Sequence, residues 1–167
     1  RGKSCHKKIC LRDKMKNLLV LIIALFAFFG SGEEESSSAN FKEFSPNEEI
    51  KLVDVSGKEL TLVRKDHGFA IKNDENKVFM IDIFGTFCPP CQKEAAELTK
   101  YQLENKDKFT LIGLTHFENV TNEYVLHEFM QKFNAYYFIT NDQKINDRLA
   151  EQIVRDIEYK HEIALPF

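Results

Sequence analysis

The stretch FGTFCPPC, residues 84–91, holds two cysteines separated by two prolines, and the rest of the chain is interpreted around it. An apolar run over residues 78–84, interrupted only by Asp82, leads into it, and a helical pattern leads out of it. A nearly continuous apolar run of this length predicts a strand that is buried on both faces. A C-x-x-C between such a strand and a helix is typical of a dithiol redox centre.

Cys88 and Cys91 fit a dithiol couple, in which one thiol attacks and the second resolves the mixed disulfide. We expect Cys88 at the helix N-terminus, exposed and with a lowered pKa, because free N–H groups and the helix dipole stabilise its thiolate. Cys91 would lie in the first turn, less exposed and facing Cys88. Pro90 suits this turn because proline lacks an N–H and its fixed φ matches a helix start. The spacing therefore predicts Cys88 as the nucleophile and Cys91 as the resolving thiol.

A zinc site and a purely structural disulfide are the other interpretations of this cysteine pair. Zinc usually takes four ligands, but the only other cysteines, Cys5 and Cys10, lie on the far side of an apolar segment. The histidines that follow this segment have no ligand spacing: His67, His116, His127 and His161. A structural role is disfavoured because closing so short a loop gains little entropy. We predict no metal and no other cofactor.

Charge is distributed unevenly along the chain. Residues 1–16 hold seven of the 23 Lys and Arg but one of the 26 Asp and Glu, so the remainder has nine more acidic than basic residues. An acidic body without a basic stripe argues against a nucleic-acid partner.

A secretory signal pattern follows the basic start. Met15-Lys16-Asn17 precedes twelve apolar residues, 18–29, and then Gly30-Ser31-Gly32, which is the order of a basic, an apolar and a small-residue region in a signal peptide. The apolar run is shorter than the about 20 residues of a transmembrane helix. Uncleaved membrane anchoring through 18–29 and a buried core helix are the alternatives.

These patterns divide the chain into four parts. Residues 1–14, ahead of a plausible start at Met15, are predicted to be spurious upstream sequence or a cytoplasmic segment. Residues 15–32 are the signal peptide or membrane anchor, and residues 33–43 an acidic, Ser-rich linker. Residues 44–167 form the folded domain.

Strand and helix signals alternate along this domain and predict an α/β fold. Strands are expected over residues 50–55, 60–63, 69–71, 78–84, 109–115 and 136–139. Helices are expected from Cys91 onward, over residues 119–133, and after an N-cap at Asn141-Asp142. Such alternation indicates a layered fold with a mostly parallel core.

Residues 81–91, IDIFGTFCPPC, resemble the active-site stretch of thioredoxins. They are most similar to the exported TlpA/ResA/CcmG-type relatives, whose pattern is aromatic-Gly-Thr-aromatic before the C-x-x-C. The resemblance is specific over residues 78–98 and loose from there to Phe167. It implies a thioredoxin-like fold, with a central mixed sheet flanked by helices, and a thiol–disulfide oxidoreductase.

The resemblance also implies a location and partners. Such relatives are exported, which implies the bacterial periplasm with frequent attachment to the inner membrane. Their partners are protein thiols or disulfides and a membrane or periplasmic electron donor. They commonly act as reductants, for example in cytochrome c maturation.

Four further positions are carried over from the resemblance. Asp82 matches a buried acid that assists proton transfer from the resolving thiol, and its apolar surroundings independently predict a raised pKa. Glu94 matches a glutamate near the active site. Leu165 and Pro166 match a cis-proline whose preceding residue pairs with the substrate. The alternatives are an Asp82 that faces solvent from an edge strand, an exposed Glu94 and a trans turn proline.

The chain departs from the family pattern in three places. Many relatives have a proline where this chain has Ala96, and the aromatics at Phe84 and Phe87 are not Trp. The family also continues past the cis-proline with two strands and a last helix that are not in this sequence. Because their absence leaves a sheet edge exposed, a chain that ends at Phe167 is predicted to be poorly stable or to aggregate.

Two other functions stay open at the level of sequence. A thiol peroxidase of the redoxin group would need a Thr three residues before the cysteine, where this chain has Gly85. A redox-inert binding module on the same fold would not need the intact C-x-x-C.

Overall fold

The computed structural model describes residues 41–74 and 77–167, and its compact unit spans Phe41–Phe167. The predictions of an upstream segment, a signal or anchor and most of the linker concern residues 1–40, which lie outside the described residues. Within the described part of the chain, no helix has the length and apolar character needed to cross a membrane.

An antiparallel sheet comes first along the chain. It consists of β1 (Glu49–Val53), β2 (Glu59–Arg64) and β3 (Phe69–Ile71), paired in that order. Gly57 turns the chain between β1 and β2 at φ 91°, a conformation that favours glycine. Ile50 and Leu52 are buried on one face while their neighbours in β1 are exposed, so this sheet is covered on one side only.

A parallel sheet follows, made of β4 (Val78–Phe84), β5 (Phe109–Thr115) and β6 (Phe138–Thr140), with β5 in the middle. β4 and β5 occupy the predicted residues, whereas β6 begins two residues later than predicted. Asp54 forms an isolated antiparallel bridge with Thr140, and the N–H of Val55 donates to the carbonyl of Ile139 at 2.9 Å. These contacts join the two sheets into the predicted mixed arrangement.

Three helices connect and follow the parallel strands. α1 spans Pro89–Glu104 and α3 spans Gln143–Asp156. α2 covers residues 122–133, with α-helical Asn122–Tyr124, π-helical Val125–Met130 and α-helical Gln131–Phe133. The predicted N-cap of α3 is confirmed, because the Asp142 side chain accepts a hydrogen bond from the N–H of Ile145 at 3.1 Å.

Each face of the parallel sheet packs against a different hydrophobic core. Successive residues of a strand point to opposite faces, so Ile83 and Phe84 lie in different clusters. Ile83 packs with Leu149 of α3 and with the antiparallel sheet. Phe84 packs with Ala95 of α1 and with residues of α2. Helices α1 and α2 therefore cover one face, and α3 with the antiparallel sheet covers the other.

A buried ion pair joins β2 to α3. Both Nη atoms of Arg64 donate to the carboxylate of Asp156, with Nη2 and Oδ1 2.8 Å apart. The hydrogen bonds from Arg64 lower the pKa of Asp156, with a smaller contribution from Gln152. Two charges can be buried in this way only when they are paired and hydrogen-bonded.

Candidate active site

Cys88 and Cys91 form a disulfide at the start of α1, with Cα atoms 5.3 Å apart. Cys88 is the N-cap, and the N–H of Cys91 donates to Cys88 Sγ at 3.4 Å. Pro89 and Pro90 occupy the first two helical positions, and proline has no N–H. The first N–H of the helix is therefore aimed at Cys88 Sγ, together with the positive end of the helix dipole. This geometry favours a thiolate at Cys88.

Both cysteines are buried in this disulfide-bonded state. Cys88 is 5% exposed and Cys91 2%, so Cys91 is the less exposed of the two, as predicted. The prediction of an exposed Cys88 is wrong for this state, because Cys88 packs in one cluster with Phe84 and Ala95. The neighbouring Phe87 is 58% exposed and is the large apolar side chain that faces solvent beside the disulfide.

A tight turn precedes Cys88 and is held by side chains from other elements. The N–H of Cys88 donates to the carbonyl of Gly85 at 3.0 Å, which closes a β-turn around Thr86 and Phe87. A Cβ at Gly85 would lie 2.6 Å from the Phe87 ring, so a larger residue here would displace this exposed side chain. Glu118, from the loop after β5, binds Thr86. This contact was missed in the sequence because the two residues are 32 positions apart.

Asp82 lies on the same face of β4 as Phe84, which is the face covered by the two cysteines. It is 6% exposed, so the alternative in which it faces solvent does not hold. Burial, followed by the negative charge of Glu94, raises the pKa of Asp82 to about 7. Glu94 is half-buried on α1, and burial raises its pKa as well. The structure thus brings together two of the predicted site residues.

Tyr137 is a third buried titratable residue at this site, and it was not among the residues predicted from the sequence. It is 7% exposed and packs in the cluster that contains both cysteines. Burial raises its pKa, and the charges of Asp82 and Glu94 raise it further. A Cβ at Gly113 would lie 3.0 Å from the Tyr137 ring, and Gly113 is the register partner of Asp82 in β5. A glycine inside a buried strand was the one available signal, because it indicates close approach of another group.

The Leu165–Pro166 peptide bond is cis, so the trans alternative does not hold. Leu165 packs against the cluster that contains Cys88 and Cys91. Phe167 then exchanges two backbone hydrogen bonds with Ile83, at 2.9 and 3.0 Å. The chain after the proline therefore lies beside β4 and brings Leu165 to the disulfide.

The topology decides the fold at this point. A parallel strand leads into a C-x-x-C at a helix N-terminus, two further strand–helix connections follow, and a cis-proline returns to the same cluster. The chain has a thioredoxin-like fold. Across residues 41–74 and 77–167, no group of three or more His, Cys, Asp and Glu is arranged to hold a metal ion.

Comparison with known proteins gives no match to a family model or to a curated protein. Several solved structures are similar at low identity. One is a secreted Mycobacterium tuberculosis disulfide oxidoreductase homologous to E. coli DsbE, at 19% identity and a TM-score of 0.42. The match covers 59% of this chain and 66% of that one, just under two thirds of its length.

Two other similar structures are covered more fully. The thiol-disulfide oxidoreductase from Bacteroides fragilis NCTC 9343 is 16% identical with a TM-score of 0.46, and the match covers 73% of this chain and 79% of that one. StoA from Bacillus subtilis is 15% identical with a TM-score of 0.47, over 72% of this chain and 76% of that one.

Proposed function

We propose that the protein is a thiol–disulfide oxidoreductase that reduces or exchanges protein disulfides through Cys88 and Cys91. The observation that carries this proposal is the N–H of Cys91, which points at Cys88 Sγ at 3.4 Å. Pro89 and Pro90 start the helix and have no N–H, so Cys91 supplies the first N–H of the helix. A donor in this position stabilises the attacking form of the sulfur, because the thiolate is the nucleophile in disulfide exchange.

The reaction proceeds in two exchanges. The Cys88 thiolate attacks one sulfur of the substrate disulfide, forms a mixed disulfide and releases the other substrate sulfur as a thiolate. Cys91 then loses its proton and attacks Cys88 Sγ, which releases the second substrate thiolate and leaves the Cys88–Cys91 disulfide. Two electrons pass to the substrate, and the dithiol is oxidised.

Asp82 is the acceptor that we assign to the proton of Cys91. A base is most effective when its pKa lies near the working pH, and burial with the nearby charge of Glu94 raises the pKa of Asp82 to about 7. Glu94 supports this role through its charge. Asp82 lies on the face of β4 that the cysteines cover, and this shared face supports the assignment.

The substrate surface that we assign contains Leu165 and Pro166. Leu165 packs against the cysteine cluster, and the peptide bond to Pro166 is cis. The backbone of Leu165 would pair with the segment that carries the substrate cysteine. Phe87, which precedes Cys88 and is exposed, offers a further apolar contact for the substrate.

An exported location is the second part of the proposal. The signal pattern of residues 15–32 supports transfer to the bacterial periplasm, and attachment to the inner membrane if residues 18–29 are retained. A membrane or periplasmic electron donor would then return the disulfide to the dithiol. In this setting the protein acts as a reductant, with cytochrome c maturation as a candidate pathway.

Reduction of insulin disulfides tests the proposed chemistry. The Cys88→Ser variant is expected to lose activity, whereas Cys91→Ser is expected to form a mixed disulfide that it cannot resolve. Cys5→Ser, which changes a cysteine outside the C-x-x-C motif, is the matched control and should reduce insulin at the rate of the unmodified protein. Unchanged insulin reduction by Cys88→Ser would refute the assignment. If the unmodified protein rapidly consumed hydrogen peroxide and did not reduce insulin, it would be a peroxidase.

A further inference from the structure

Thr86 is held through all three of its hydrogen-bonding groups by side chains. Its N–H donates to Glu118 Oε1 at 2.8 Å, and its hydroxyl donates to Glu118 Oε2. Its carbonyl accepts a hydrogen bond from Gln92 Nε2 at 2.7 Å. Thr86 is 4% exposed, so these contacts are made largely away from water. The carboxylate of Glu118 therefore accepts both hydrogen bonds that Thr86 donates.

These contacts lie next to the nucleophile that we propose. Thr86 is a central residue of the turn from Gly85 to Cys88. Gln92 follows Cys91 in α1, and its N–H donates to the Cys88 carbonyl at 3.0 Å. The turn and the first turn of the helix are thus tied together around Cys88. Any shift of Thr86 changes the path of the chain into Cys88 and the direction from Cys88 Sγ to the Cys91 N–H.

The loop that presents Glu118 is itself held in place. The N–H of His116 donates to the Phe84 carbonyl at 2.8 Å, and His116 Nδ1 lies 2.8 Å from Asp147 Oδ1 of α3. Phe117 has φ 59° and its ring centroid lies 3.9 Å from that of His116. A bulky residue in this left-handed region persists only where its surroundings fix it. These contacts hold the loop, and with it Glu118, in position.

We propose that Glu118 is a positioning residue for the Cys88 thiolate, and that it acts by holding the N–H and hydroxyl of Thr86 so that the turn aims Cys88 Sγ at the Cys91 N–H. The proposal rests on the proposed role of Cys88 as the nucleophile. Hydrogen bonds weaken steeply with angle, so a turn that relaxes loses much of this contact. The charge of Glu118 acts in the opposite sense, because a nearby carboxylate disfavours a second negative charge. Geometry and charge therefore predict opposite results when Glu118 is replaced.

The test compares Thr86→Val, Glu118→Ala and the double variant in the full-length reduced protein. The pH midpoint of Cys88 alkylation by iodoacetamide is followed by peptide mass spectrometry, which separates Cys88 from the other thiols. Both single variants are expected to raise this midpoint by about one unit, an approximately tenfold loss of thiolate below the midpoint. The double variant should rise no further than the single ones, because either change releases the same turn.

Equilibration with glutathione gives a second readout. A tenfold loss of thiolate stabilisation should lower the reduction potential of the couple by about 30 mV, since a less stable thiolate makes the dithiol the stronger reductant. Thr86→Ser retains the hydroxyl and should have the alkylation midpoint and reduction potential of the unmodified protein. Thr61→Val in β2 is the matched control and should also leave both unchanged. If Glu118→Ala does not fold, Thr86→Val carries the test alone.

Two outcomes would overturn the proposal. A lower midpoint in Glu118→Ala with no change in Thr86→Val would mean that Glu118 acts through charge alone. A lower melting temperature in both variants, with midpoint and potential unchanged, would mean that the contact is only structural. Alkylation reports on the thiol whether or not the protein reduces insulin, so failure of this proposal is distinct from failure of the proposed function.

Discussion

Asp82 of β4 and Glu94 of α1 form an acidic pair on the disulfide side of the parallel sheet. Burial, with the negative charge of Glu94 as the second cause, raises the pKa of Asp82 to about 7 from its usual 3.8. The pKa of Glu94 is also raised by burial. The folded protein therefore retains protons at this site that the unfolded chain releases.

Replacement of Asp82 by Asn should make the protein more stable at pH 8. The pKa of Asp82 is higher in the folded protein than in the unfolded chain, so its ionisation destabilises the folded state as the pH rises from about 4 through about 7. Above pH 7 the accumulated loss is on the order of 4 kcal/mol. Urea unfolding at pH 4 and pH 8 measures the difference between variant and unmodified protein. The gain should appear only at the higher pH.

Asp107→Asn, at an exposed position in the turn after α1, is the control and should change the free energy of unfolding at pH 8 by no more than about 0.5 kcal/mol. A difference between Asp82→Asn and the unmodified protein that does not vary with pH would show that folding does not raise the pKa of Asp82.

Replacement of Asp156 by Asn should have the opposite pH dependence. Hydrogen bonds from Arg64 lower the pKa of Asp156, so its contribution is present above the unfolded value of 3.8 and is lost as the pH falls through the lower folded-state pKa. Breaking this largely buried pair should cost about 3–5 kcal/mol at pH 7. Chemical unfolding should show a smaller loss at pH 2.

The exposed ion pair between Lys51 and Glu59, with side chains 63% and 58% exposed, provides the matched control. Glu59→Gln should change the free energy of unfolding by less than about 1 kcal/mol. An equally small change in Asp156→Asn at pH 7 would contradict a stabilising role for the buried pair.

Gly113→Ala should destabilise the protein by about 1–3 kcal/mol, as overpacking of a core does. The new Cβ would lie 3.0 Å from the ring of Tyr137 and 3.0 Å from that of Phe84. Alanine loses less entropy than glycine on folding, so a loss of stability in chemical unfolding would report the steric conflict. A gain in stability would show that the two rings can move aside.

Tyr137→Phe should leave the ring packing intact and the tyrosine titration up to pH 10 unchanged. Because burial and the charges of Asp82 and Glu94 raise the pKa of Tyr137, its phenol should stay protonated when ordinary tyrosines ionise near pH 10. The absorbance rise at pH 10 should therefore be the same in the variant and in the unmodified protein. A smaller absorbance rise in the variant would show that Tyr137 ionises near pH 10 and would contradict its raised pKa.

Much of the framework could be predicted because its signals are local. β4 and β5 occupy the predicted residues, since each is a largely apolar run bounded by turn residues. The Asp142 cap was visible because a capping residue sits next to the helix it starts. Cys88 and Cys91 were found for the same reason.

The contacts that complete the site could not be predicted because they join distant parts of the chain. Glu118 lies 32 positions after Thr86, and Asp156 lies 92 after Arg64. The sequence shows that these residues are polar but not which of them meet. The burial of Cys88 was also missed, because local spacing identifies the helix start but not the side chains that pack over it.

The two prolines at the start of α1 give this protein a natural spectroscopic reporter. Pro89 and Pro90 have no amide hydrogen, so the amide of Cys91 is the first in the helix and faces Cys88 Sγ. In a ¹H–¹⁵N spectrum, this single resonance would register whether the sulfur beside it is a thiol, a thiolate or part of a disulfide. The redox state of the centre can thus be followed from one backbone signal, without a probe attached to either cysteine and without a substrate.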